Sequence, residues 1–149
     1  MRLSIFFALM MLVACTNNSS DERKNGYSDV PKNPEDSLFQ EVMDLHNQAM
    51  AKVGRVKGSR GQLDAKIDSL KKVKSVAKES LTKEYKAISA DLQQAADKMD
   101  KWMNEFVIDS MQDDVKRRID YLESEKIKVS AVKDEILSAL SKADSALKK

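Results

Sequence analysis

Apolar residues recur at steps of three and four along three long stretches of the chain, the spacing of one face of an α-helix. The strictest stretch runs from Tyr85 to Phe106. The three patterns predict helices over about residues 34–77, 82–108 and 111–147. Long amphipathic helices with short connections favour an all-α fold, an antiparallel three-helix bundle over residues 34–149. Because the heptads are long and the apolar stripes are narrow, an extended coiled coil is the alternative.

The start of the first helix is marked clearly. Asn33 is suited to the N-cap, Pro34 to the first helical position, and Glu35 and Asp36 to the positive end of the helix dipole. Gly54, Gly58 and Gly61 weaken the middle of this helix by up to about 1 kcal/mol each. We expect a kink, a fray or a break near Lys57–Gly61, but the period resumes in phase, which favours one helix.

The two connections carry weaker signals. The first turn is expected at Glu79–Lys83, although neither Gly nor Pro marks it. A continuous helix through this region is therefore an alternative. Ser110 followed by Asp113 resembles a capping box, which predicts that the third helix opens there. Lys126 interrupts the apolar stripe of that helix.

Composition narrows the function classes. The chain has 26 basic and 24 acidic residues, and its Lys and Arg alternate with acids along the helices. This balance does not favour nucleic-acid binding. His46 is the only histidine, which excludes a zinc site built from several histidines. Nucleophile elbows, phosphate loops and metalloprotease motifs are absent from the sequence. We therefore predict a protein that is not an enzyme.

The first fourteen residues have the organisation of an export signal. Arg2 precedes an apolar run of about eleven residues, roughly 17 Å as a helix, whereas a bilayer core is about 30 Å thick. Ala14 provides the small residue before a cleaved bond, and Cys15 is the only cysteine. Residues 15–33 are then polar, which predicts a flexible tether. The alternatives are an ordinary secretory signal with a chance cysteine and a retained transmembrane anchor.

The stretch Leu12-Val13-Ala14-Cys15 resembles the lipobox of bacterial lipoproteins. That resemblance implies cleavage before Cys15, a diacylglycerol thioether and an N-acyl chain such as palmitate on this residue, and attachment to a membrane of the cell envelope. Thr16, which stands where Asp would favour the inner membrane, favours the outer membrane and leaves the inner membrane as the alternative. HNQAM (46–50), MDKWM (99–103) and YLESEKIKV (121–129) also resemble uncharacterised small helical lipoproteins of Gram-negative bacteria, which imply no activity.

These features predict a non-enzymatic envelope lipoprotein with a protein-interaction or structural role, whose partner would be an envelope protein or a second copy of the chain. A methionine-rich group of residues suggests an alternative. A hairpin of the first two helices, turning near residues 78–80, would set Met50 opposite Val107 and His46 opposite Met111. Thioether and imidazole ligands suit Cu(I), although methionines at helical spacing are more often core residues. The candidate ligands for copper are Met43, His46, Met50, Met103 and Met111.

Overall fold

The computed structural model describes residues 31–148. It contains three helices there: α1 (Pro34–Lys71), α2 (Lys78–Glu105) and α3 (Val115–Leu147). Each helix packs against both of the others, which confirms the predicted three-helix bundle and not the extended coiled coil. None of these helices combines the length and the apolar composition of a membrane span. The predicted signal peptide, Cys15 and most of the predicted tether lie outside the described residues.

The start of α1 is the one that the sequence predicts. Asn33 has an extended backbone, and its side chain accepts a hydrogen bond of 2.8 Å from the backbone N–H of Asp36. The helix then continues without a break past its three glycines. A methyl group added to Gly54, Gly58 or Gly61 would meet nothing within 4 Å, so these glycines face open space. Packing of the opposite face of α1 maintains the helix there.

The predicted turn at Glu79–Lys83 is wrong, and so is the continuous helix. α1 ends six residues before the predicted end at residue 77, and α2 already begins at Lys78. The connection therefore lies in residues 72–77. Its sequence contains no Gly or Pro, and its Val73 and Val76 extend the apparent apolar pattern of α1 although both side chains are exposed.

The predicted capping box at Ser110 is also wrong. α3 begins at Val115, with Asp114 as its N-cap, and the Asp114 carboxylate accepts a 3.1 Å hydrogen bond from the backbone N–H of Arg117. Residues 108–113 form turns instead, in which Met111 adopts a left-handed backbone with φ of 59°. α2 ends at Glu105, before Val107 and Ile108, whose side chains are exposed.

Four ion pairs between helices give the relative positions of α1, α2 and α3. Glu41 pairs with Lys126 and Arg55 with Asp144, so α1 and α3 run in the same direction. Lys98 pairs with Glu135 at 2.6 Å, and Asp91 with Lys142 at 2.7 Å, so α2 runs against α3. The start of α1, the end of α2 and the start of α3 therefore meet at one end, which we call the base.

At the other end, α1 and α2 project beyond α3. Arg55 lies beside Asp144, close to the end of α3 at Leu147, whereas α1 continues to Lys71. We call residues 61–71 and 78–86 the arm; it extends past α3 by roughly three helical turns, or about 15 Å. The arm retains a buried apolar stripe consisting of Leu63, Ile67 and Tyr85, and residues 71–78 form its tip.

Candidate functional site at the base

The base brings His46 and Met103 into direct contact. His46 lies on α1 and Met103 near the end of α2, and the imidazole Nε2 is 3.2 Å from the Met103 sulfur. The predicted pairing of His46 with Met111 is wrong because the hairpin turns earlier than expected. A hairpin that turns about four residues early shifts the pairing of its two helices by about eight residues, which is about two helical turns.

The second ring nitrogen of His46 has its own partner. Nδ1 lies 3.2 Å from the Oδ1 atom of Asn47. An amide oxygen only accepts, so in this arrangement Nδ1 carries the hydrogen and donates. The Met103 sulfur has no hydrogen to give, so Nε2 either donates an N–H···S hydrogen bond to it or, when it carries no hydrogen, faces it with a lone pair. A metal-binding histidine has this arrangement, with one nitrogen fixed by a neighbour and the other available to a soft cation.

The other candidate ligands are placed differently. Met43 and Met50 lie about one turn before and one turn after His46 on α1, on the same side of the helix, and both are half-buried. Met50 packs against the main apolar core. Met111 belongs to the connection between α2 and α3. Of the five predicted residues, the structure therefore joins His46 and Met103 directly.

Aromatic rings surround this contact. The His46 ring lies 5.7 Å from the Trp102 ring, and Trp102 stacks on Phe106 with centroids 4.9 Å apart. Phe106 in turn neighbours Phe39 at 6.3 Å and Tyr121 at 6.1 Å. These five residues, which we call the aromatic cluster, come from all three helices or their caps. The cluster includes the only tryptophan of the chain, so the fluorescence of Trp102 can report on changes at the neighbouring imidazole.

A buried carboxylate also contacts Trp102. Glu125 is only 5 % exposed, and its carboxylate accepts a 2.9 Å hydrogen bond from the indole N–H of Trp102. The ammonium of Lys128 donates to the same carboxylate at 2.7 Å. This hydrogen bond with Glu125 raises the pKa of Lys128 above its ordinary value. The buried charge of Glu125 is thus paired on both oxygens, as burial requires.

Sequence reasoning missed Glu125 and Arg118 as buried residues. Both lie within the apolar stripe of α3, at helical spacing from Leu122. This position in the pattern could have indicated that they are buried. Arg118 is 7 % exposed; it donates a 2.7 Å hydrogen bond to the Ser110 carbonyl and lies over the Phe39 ring. Lys126, which was expected to interrupt the stripe, lies at its flank and pairs with Glu41.

The base also exposes apolar side chains. Met103 is 37 % exposed, Ile108 45 %, Val107 56 % and Val115 60 %. Val107 and Ile108 lie in the connection between α2 and α3, and Val115 is the first residue of α3. Isolated exposed apolar residues are ordinary, but these four lie near the same end of the bundle.

Within residues 31–148, no group of three or more His, Cys, Asp or Glu side chains is arranged to hold a metal ion. Comparison with known proteins found no matching family model, no matching curated protein and no matching solved structure.

Proposed function

We propose that this protein is a lipid-anchored lipoprotein of the cell envelope, with the outer membrane favoured over the inner membrane. Its bundle acts without catalysis, either by binding another protein or as a structural spacer in the envelope. The sequence Leu12–Cys15 carries this proposal, because it combines a lipobox pattern with the only cysteine of the chain. Two or more acyl chains on Cys15 would give stable anchoring, whereas one chain gives marginal binding.

Labelling with a palmitate analogue in cells tests the anchor. We expect the wild-type chain to take up the label, to fractionate with membranes and to accumulate as a precursor when signal peptidase II is inhibited. Cys15→Ser should abolish all three, whereas Thr16→Ser should change none. If Cys15→Ser stays in the membrane after a carbonate wash with its first fourteen residues uncleaved, those residues act as a transmembrane anchor and the proposal is wrong.

The exposed apolar residues of the base support the protein-binding role. A photocrosslinking amino acid at position 107 should yield a discrete adduct in intact cells, either with an envelope protein or with a second copy of the chain. The same residue at position 57, an exposed position on α1 away from the base, is the matched control. Equal adducts from both positions would argue against a binding surface at the base.

Binding of Cu(I) is the second candidate, and the contact between His46 and Met103 favours it. The ion would take Nε2 and the thioether sulfur, with Met43 and Met50 as neighbouring thioethers. Titration of Cu(I) under reducing conditions against a competing chelator should quench the fluorescence of Trp102. Met103→Leu combined with His46→Gln should remove both uptake and quenching, whereas Met99→Leu in the core should preserve them. Uptake that persists in the double variant would exclude this site.

A further inference from the structure

The tip of the arm has an unusual composition. Residues 71–78 read KKVKSVAK and hold four lysines, two valines and no acidic residue. Residues 71–77 are all exposed; Val76 is fully exposed and Val73 is 48 % exposed. Ile127 is also exposed between two lysines, but Lys126 pairs with Glu41 and Lys128 with Glu125, whereas residues 71–78 contain no acidic residue.

The positive charge continues down the arm. Residues 66–86 contain seven lysines and only three acidic residues, in a chain whose total net charge is +2. Among these acids, Asp68 accepts a 2.7 Å hydrogen bond from Lys71, and this ion pair lowers the pKa of the Asp68 carboxyl group. Lys71, Lys78, Lys83 and Lys86 line a shallow cleft at this end together with Glu79 and Thr82.

Helix capping explains only part of this composition. Lys71 lies in the last turn of α1, where a cation is favourable, and the Lys78 ammonium donates a 3.1 Å hydrogen bond to the Lys71 carbonyl. Neither interaction requires Lys74 or an exposed valine at both Val73 and Val76. A surface that takes cations and apolar groups together would accommodate these three residues.

We propose that the tip docks on the surface of an anionic lipid bilayer. Lipid headgroups attract lysines with about 1 kcal/mol each, and the interface beneath them accepts apolar side chains. A soluble polyanion would pair with the lysines but offer nothing to the valines. The arm contains no arginine between residues 61 and 86, so it lacks the planar donors that shape a site for one particular phosphate.

The position of the tip fits this role. The arm extends past the end of α3, so the tip can meet a flat surface without a collision of the third helix. α1 begins at Pro34, at the end of the bundle opposite the tip. Docking of the tip does not depend on the lipid at Cys15; together with that lipid, which rests on the proposed function, it would let one chain contact two membrane surfaces.

Co-sedimentation with vesicles tests the proposal without the anchor. The chain from residue 15 onwards, with Cys15→Ser, removes both the export segment and the acylation site. We expect it to bind vesicles of phosphatidylcholine with about 30 % phosphatidylglycerol, and not pure phosphatidylcholine. Lys72→Gln with Lys74→Gln should lower the partition coefficient about thirtyfold. Val73→Ser with Val76→Ser should lower it about tenfold at unchanged net charge.

Lys101→Gln with Lys116→Gln is the matched control, since it removes the same charge from exposed positions near the base. Its partition coefficient should stay within about twofold of the parent value. If the double lysine variant near the base and the one at the tip lose vesicle binding equally, net charge alone explains the attraction and the proposal is overturned. Full vesicle binding by the valine variant, or no preference for the anionic vesicles, would overturn it as well. None of these outcomes depends on whether Cys15 is acylated in cells.

Discussion

The base and the arm are parts of one bundle built in different ways. The base contains three helices, four of the five aromatic residues in the described part of the chain, and the buried charges of Arg118 and Glu125. The arm contains two helices joined along an aliphatic stripe that includes Leu63 and Ile67. Directional contacts in the base fix which residues meet, whereas the arm relies on burial along one face. We therefore expect the free energy of unfolding to respond differently to equivalent changes at the two ends.

The largest effect should come from a matched pair of truncations. Leu122 near the base is completely buried, whereas Leu70 near the tip is half-buried. Leu122→Ala should lower the free energy of unfolding by about 3–4 kcal/mol because it leaves a cavity among three helices. Leu70→Ala should cost about 1 kcal/mol, since the arm can close and water can enter. Urea denaturation measures both, and equal losses would contradict the comparison.

Breaking the buried hydrogen bond of Trp102 should have the next largest effect. Trp102→Phe keeps an aromatic ring but leaves one oxygen of the Glu125 carboxylate without its donor, which should cost about 1.5–3 kcal/mol. Tyr85→Phe in the arm, where the ring is also buried, should cost less than about 1 kcal/mol. Adding Glu125→Leu to Trp102→Phe should recover part of the loss, because no buried charge then remains. A double variant that is less stable than Trp102→Phe by the full cost of Glu125→Leu alone would show that the two residues act independently.

Gly58→Ala should have a smaller effect of the opposite sign. Gly58 lies in α1 close to the level at which α3 ends, and open space surrounds its Cα. Alanine should raise the free energy of unfolding by about 0.5–1 kcal/mol because it restricts the unfolded chain and favours the helix. Thermal unfolding measures the change. A loss of stability would mean that α1 needs flexibility where the bundle changes from three helices to two.

The smallest effect concerns pH. The pKa of Lys128 is raised in the folded state by the hydrogen bond with Glu125, so its contribution is complete below the ordinary lysine pKa of 10.5 and is lost as pH rises through the higher folded value. The loss is small because the Lys128 side chain is 59 % exposed. Lys128→Gln should flatten the fall in stability above pH 10.5, as measured by urea denaturation over this pH range.

The helices and the start of α1 could be predicted from the sequence because the apolar period and the Asn33 cap are local signals. The turns could not, because the residues that form them look like their neighbours. Val73, Val76, Val107 and Ile108 extend the apolar pattern but are exposed in the connections. Met111 occupies a left-handed position that usually marks glycine or asparagine, so nothing in the sequence showed that the chain turns there.

The candidate site could be predicted only in part, again because the positions of the turns are not marked in the sequence. The methionines and His46 were identified by residue type, and their gathering near the base follows from any hairpin of the first two helices. The partner of His46 depends on the register, and the register depends on where α1 ends. Glu125 was missed because a carboxylate suggests a surface position unless its donors, here Trp102 and Lys128, are known to lie nearby.

α1 has a mechanical consequence. It runs the full length of the described bundle as one uninterrupted element of 38 residues, which corresponds to about 57 Å. α1 thus has a fixed length, and the number of residues between Pro34 and Lys71 sets the distance between the base and the tip. Inserting one heptad into α1 and one into α2 within the arm would lengthen this reach by about 10 Å without changing the residues at either end.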